Sequence, residues 1–178
     1  MKPALMIHEF KEEYLSLPLK DYTLTFDDGL YSQFLYSKQL EQIDTLKIFF
    51  ISSAIVCPEH VIQDPSFVCC RDAHEKAFSG DYSNYMKWSQ IKQLNALNNC
   101  RVGCHGHAHI YNIIADPVSM VRDSRTMSGV FSNVLGYVPD DFCFPYNIES
   151  TLYKTLLLKH GIKNFYGEER IDIDDLCI

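Results

Sequence analysis

Residues 22–29 read YTLTFDDG, a β-prone run (22–26) that ends at a charged turn containing glycine. Further along the chain, short apolar runs alternate with longer amphipathic segments. We predict further strands at residues 46–51, 101–104, 142–144 and 164–166. Helical spacing predicts helices at residues 31–43, 85–97, 118–135 and 152–159, with Gly136 as a C-cap. This alternation predicts an α/β fold of parallel strands joined by right-handed crossovers, either a doubly wound sheet or a barrel.

The composition excludes several classes of protein. The 178 residues carry a net charge of −7, so the chain lacks the overall excess of positive charge that is typical of nucleic-acid-binding proteins. No apolar run reaches the ~18–20 residues of a membrane span. The N-terminal residues MKPALMIHEFKEEYL show no signal-peptide pattern, and the seven cysteines are an odd number. We therefore expect one soluble domain with reduced thiols in the cytoplasm, and the oligomeric state stays open.

The segment 57–84 interrupts the alternation of predicted strands and helices, because it is long, mixes polar and apolar residues without a clear period, and is rich in turn residues. A loop of this length in a compact domain is more often functional than a plain connection. It forms either a lid or substrate wall, or a surface excursion with a short helix.

The first chemical motif is the pair of carboxylates Asp27 and Asp28 at the end of the first of these strands. Two adjacent carboxylates are costly to keep ionised unless a positive charge lies between them, and a divalent cation would supply it. Gly29 allows the backbone to turn sharply. A DDG string alone is also a common turn sequence.

The second motif, CHGHAH at residues 104–109, places three histidines within five positions after a predicted strand. Neutral imidazoles together with a carboxylate suit zinc or a similar metal. In a helical turn His105 and His109 share a face, whereas in an extended segment His107 aligns with both. A closed zinc site of these two histidines with Cys100 and Cys104 is an alternative.

The third motif is FCFPYN at residues 142–147. Pro145 fixes φ and ends the strand, which aims Tyr146 or its backbone amide across the strand ends. The three motifs follow three different strands, and in parallel α/β folds such ends gather at the functional edge of the sheet.

These motifs, in this order, resemble the NodB-type polysaccharide deacetylases, carbohydrate esterase family 4. The segments ALMIHEF, KWSQIKQL and KHGIKNFY also resemble the family, so the resemblance covers roughly residues 4–170. It implies a distorted, shortened (β/α) barrel and a single catalytic domain over residues 1–178. It also implies a divalent metal, by default Zn²⁺, and a hydrolase acting on carbohydrate.

Carried over by position, the metal ligands are Asp28, His105 and His109, and Asp27 is the catalytic base. The backbone N–H at Tyr146 matches the oxyanion donor, and Pro145 lies beside it at the substrate. His107 falls at a variable position and receives no ligand role.

Two departures from the family pattern bear on catalysis. Cys143 stands where many members have an arginine that orients the base, so we expect Asp27 to lack a charged partner and to have a raised pKa. The C-terminal segment whose histidine often acts as general acid is absent. Either His8 or His74 is the substitute, or the base acts twice, and His74 is also a candidate substrate contact.

We therefore expect an N-deacetylase acting on an N-acetylated sugar or glycan precursor in the cytoplasm, in surface polysaccharide or lipopolysaccharide biosynthesis. One alternative is a C–N hydrolase that cleaves a cyclic amide or ureide. Another is a catalytically silent binding module that retains the metal.

Overall fold

Seven parallel strands form one sheet in the computed structural model, which describes residues 2–177. The strands are β1 (Ala4–Ile7), β2 (Thr23–Phe26), β3 (Lys47–Ile51), β4 (Cys100–Cys104), β5 (Asp141–Cys143), β6 (Asn164–Tyr166) and β7 (Ile171–Asp172). Their spatial order is β6-β5-β4-β3-β2-β1-β7, and every pairing is parallel. Within the described range no pairing joins β6 to β7, so the sheet is a shortened, unclosed (β/α) barrel. Met1 and Ile178, the ends of the expected domain, lie outside the described residues.

The predicted strands are confirmed to within one or two residues. The central strand β3 reads KIFFI, and all five of its residues are buried. A strand of a parallel sheet is covered on both faces, which is why residues 48–51 form a continuous apolar run. The rings of Phe26 on β2 and Phe49 on β3 stack with centroids 4.6 Å apart. The two-residue β7, which pairs with β1, has no comparable run and was not predicted.

The helices are α1 (Tyr31–Leu35), α2 (Ser37–Glu41), α3 (Cys70–Phe78), α4 (Trp88–Asn95), α5 (Pro117–Leu135) and α6 (Thr151–Lys159). In α5, Asp116 caps the first turn by accepting the Val118 N–H, and Gly136 ends the helix with φ 84°, as predicted. The predicted helix 31–43 is instead two short helices, because Tyr36 leaves helical geometry with its ring against Phe10. Among residues 2–177, no helix has both the length and the apolar character needed to cross a bilayer.

Candidate active site

The loops that follow β2, β4 and β5 meet at a cavity of about 470 Å³. Asp27 and Asp28 come from the first loop, His105 and His109 from the second, and Tyr146 from the third. All five line the cavity, as the convergence of three motifs at strand ends led us to expect. His8, after β1, and His74, on α3, line it as well.

Asp28 lies at the centre of a group of imidazoles. Its Oδ1 atom is 3.2 Å from His105 Nε2 and 3.0 Å from His109 Nε2. Burial alone would raise the pKa of Asp28, but the two imidazoles keep it well below its usual value. Oδ1 is nevertheless a buried atom without a hydrogen-bond partner among the described residues. A buried, unsatisfied carboxylate oxygen beside imidazole nitrogens fits a divalent cation such as zinc.

The orientation of His105 is fixed from behind. Its Nδ1 lies 2.9 Å from the backbone oxygen of Cys143. A carbonyl oxygen only accepts, so Nδ1 carries the proton and donates it, and Nε2 is left to face Asp28. This is the arrangement that metal-binding histidines show in most proteins.

The expectation that Asp27 lacks a charged partner is wrong. Arg170, just before β7, donates from Nη1 to Asp27 Oδ1 and from Nη2 to Oδ2, both over 2.7 Å. Burial would raise the pKa of Asp27, but the Arg170 guanidinium lowers it below its usual value. At position 143, burial and the nearby Asp27 raise the pKa of the thiol to about 11, so Cys143 is neutral. Arg170 thus supplies the charge that position 143 lacks.

Sequence reasoning missed Arg170 because it stands in the segment GEERID, which matches no motif. A buried carboxylate is costly unless a positive charge lies beside it. A search of the chain for a cation to pair with Asp27 could therefore have found Arg170. Arg170 Nη2 also donates to Asn147 Oδ1 over 2.8 Å, so Arg170 links Asp27 to the loop after β5.

Asp123 on α5, also missed, supports the histidine loop. Its carboxylate accepts the backbone N–H groups of His107 and Ala108 over 2.9 and 3.1 Å and the Tyr153 hydroxyl over 2.9 Å. A buried acceptor of three hydrogen bonds fixes the loop between the two candidate ligands. His107 itself turns away, with Nδ1 2.9 Å from Ser53 Oγ.

Backbone strain concentrates at the cavity. Asp28, His109, Tyr146 and Asn147 all have positive φ angles, of 70°, 49°, 58° and 57°, and all line the cavity. Such strain persists only where the surroundings enforce it, and it clusters at functional sites. The hydrogen bonds found within residues 2–177 leave the Tyr146 N–H without an acceptor. Pro145 is buried behind this turn and is not among the cavity-lining residues.

The long segment 57–84 contributes a wall of the cavity through α3. Cys70, His74 and Phe78 of this helix line the cavity, so the segment is more than a surface excursion. The closed zinc site with Cys100 and Cys104 is wrong. These cysteines begin and end β4, roughly 13 Å apart at the rise of a strand, and cannot share one ion.

No protein-family model and no curated protein matches the sequence. Solved structures do match. IcaB from Ammonifex degensii superposes with a TM-score of 0.66 at 17% identity, over 96% of this chain and 84% of that one. A polysaccharide deacetylase from Bacillus cereus, BC0361, gives 0.65 at 13% identity, over 96% and 64%. The fold is that of the polysaccharide deacetylases.

The polysaccharide deacetylase fold also occurs without activity. A carbohydrate esterase family 4 pseudoenzyme from Bacillus anthracis, BA3943, matches with a TM-score of 0.51 at 12% identity, over 93% of this chain and 43% of that one. At these identities the similarity is one of fold alone. The chemistry of this chain therefore has to be argued from its own side chains.

Proposed function

We propose that this protein is a metal-dependent hydrolase that removes the acetyl group from an N-acetylated amino sugar. One observation carries the proposal. A carboxylate held ionised by Arg170 and a second carboxylate surrounded by imidazoles open onto the same cavity. The motif resemblance assigns Asp27 as the base and Asp28 as a metal ligand, and the polysaccharide deacetylase fold supports that assignment.

In this proposal Asp28, His105 and His109 hold the divalent cation. A bound cation, by default zinc, supplies a Lewis acid that lowers the pKa of water and polarises the substrate carbonyl. The neutral form of an imidazole is the one that binds metal. Burial lowers the pKa of His109, which favours that form.

Asp27 accepts the proton of the water that attacks the acetamide carbon. Arg170 favours this role because it keeps the carboxylate ionised and fixes both of its oxygens. The backbone N–H of Tyr146 donates to the carbonyl oxygen as that oxygen becomes negative. His8 is the proposed proton donor to the leaving nitrogen. The C–N bond then breaks to give acetate and a free amino sugar.

The lining of the cavity supports a sugar as the substrate. Its volume of about 470 Å³ suits a small molecule or one unit of a glycan. Phe78 and Tyr146 are 68% and 47% exposed and offer ring faces on which a sugar could stack. All seven cysteines are free thiols, which supports the proposed cytoplasmic location and a precursor glycan as substrate.

The test is acetate release from a panel of N-acetylated sugars, with metal analysis of the same protein. We expect release that chelation abolishes and a divalent cation restores. Asp27→Asn should retain the metal but lose activity by at least about 100-fold. Asp21→Asn, at an exposed position, is the matched control and should behave like the natural protein.

Two results would contradict the proposal. If neither the natural protein nor Asp27→Asn releases acetate while both contain metal, the protein is a silent binding module. Hydrolysis of a cyclic amide or ureide without acetate release would instead show a different C–N hydrolase.

A further inference from the structure

Helix α3 directs two side chains, one turn apart, at the carboxylate of Asp28. Cys70 Sγ donates to Asp28 Oδ2 over 3.0 Å, and His74 Nε2 lies 3.7 Å from Oδ1. Residues four apart on a helix share a face, so both side chains reach the carboxylate together. The thiol occupies one oxygen and leaves Oδ1 to the imidazoles.

The ring of His74 is oriented as the ring of His105 is. Its Nδ1 lies 3.0 Å from the backbone oxygen of Cys70, which only accepts, so Nδ1 carries the proton in the neutral ring. Nε2 then presents a lone pair to Asp28 Oδ1. Both atoms are buried and lack a hydrogen-bond partner among the described residues. Two buried acceptors that face each other require a positive charge between them.

The distances fit a shared cation. Atoms bound to one zinc ion lie within about 4.4 Å of each other, because each is about 2.0–2.2 Å from the ion. His74 Nε2 and Asp28 Oδ1 satisfy this limit at 3.7 Å. Asp28, His74 and His109 each offer a ligand atom within 4.8 Å of the others, whereas His105 forms such a group with Asp27 and Cys143. The rings of His74 and His109 lie 4.5 Å apart.

We propose that His74 binds the same divalent cation as Asp28 and His109. The inference rests on the metal of the proposed function and extends its ligand set from the strand-end loops to α3. It gives His74 a role at the metal instead of general acid or substrate contact. It also predicts that the cation fastens α3, the wall of the cavity, to the sheet.

The first measurement compares the natural protein with His74→Ala. X-ray absorption of the two zinc-loaded proteins counts the imidazoles on the ion, and we expect one fewer in the variant. The second is metal affinity by competition with a chromophoric chelator. His74→Ala should weaken affinity by about 10- to 100-fold, the range seen when a partner of a metal site is removed. His60→Ala, at an exposed position in the same segment, is the control and should bind as the natural protein does.

The third measurement is hydrogen exchange of residues 70–78. Metal should slow exchange there in the natural protein but not in His74→Ala. Thermal unfolding of both metal-free proteins shows whether the variant still folds, and the exchange result for the natural protein stands if it does not. An equal number of imidazoles on the zinc in the natural protein and in a folded His74→Ala, with affinity unchanged, would overturn the inference and leave the proposed function intact. A natural protein that binds no divalent cation would overturn both.

Discussion

Arg170 binds both carboxylate oxygens of Asp27 across 143 residues of sequence, through two hydrogen bonds of 2.7 Å. The two side chains are only 2% and 3% exposed. Such a pair is costly to bury, but removing one partner costs more because the other charge is left alone in the interior. Arg170 therefore contributes to folding and keeps the candidate base ionised.

Arg170→Ala should lower the free energy of unfolding by about 3–5 kcal/mol and abolish acetate release. Arg170→Lys retains the charge but not the planar pair of donors, so its stability and activity should lie between those of the natural protein and of Arg170→Ala. Urea unfolding and steady-state kinetics measure both effects. Arg125→Ala, at an exposed position on α5, is the control. If Arg170→Ala is as stable as the natural protein, the Arg170–Asp27 pair does not contribute to folding as proposed.

Asp123→Ala should destabilise the protein by about 1–3 kcal/mol, because it leaves two partly buried N–H groups of the histidine loop without an acceptor. It should also weaken metal binding, since the loop carries His105 and His109. Tyr153→Phe removes only the third donor to the carboxylate and should cost about 1 kcal/mol. Urea unfolding and a metal titration give both values, and an equal or larger loss in Tyr153→Phe would refute this ranking.

Gly103→Ala should destabilise the protein by about 1–3 kcal/mol or more through overpacking. Gly103 on β4 pairs with Phe50 on β3, and an added Cβ would lie 2.5 Å from the Phe50 ring. Gly129→Ala on α5 is the opposite case. Nothing lies within 4 Å of its added Cβ, so the change should stabilise the helix by about 0.5–1 kcal/mol. Chemical denaturation of both variants should give changes of opposite sign.

The stability of Asp141→Asn should increase, relative to that of the natural protein, as the pH rises. Burial raises the pKa of Asp141 above its usual value, although Asn164 and Tyr166 donate to its carboxylate. A raised carboxyl pKa means that the folded state holds the proton more tightly, so this contribution to stability is largest at low pH and is lost as the group ionises. This loss of stability begins near pH 3.9, the usual pKa of an aspartate side chain being about 3.9, and continues at higher pH. Unfolding free energies from about pH 4 to pH 8 measure the trend, and a constant difference would count against it.

The sequence predicts the sheet well because buried parallel strands are apolar runs, as in β3, whose side chains are all buried. It also indicates the candidate site, since the carboxyl ends of such strands share one edge. Arg170 and Asp123 escape prediction because each acts through a contact far away in sequence. His74 was considered only as an acid or a substrate contact, because helical spacing shows its neighbours on α3 but not the carboxylate that α3 faces.

The long separation between Asp27 and Arg170 has a consequence during protein synthesis. At about 5–20 residues per second, the ribosome adds the arginine roughly 7–30 s after the aspartate. Throughout that interval the nascent chain lacks the guanidinium that pairs with this carboxylate, so the first strands gain less by burying it. We expect the amino-terminal half to stay loosely packed and exposed to chaperones until translation delivers the far edge of the sheet.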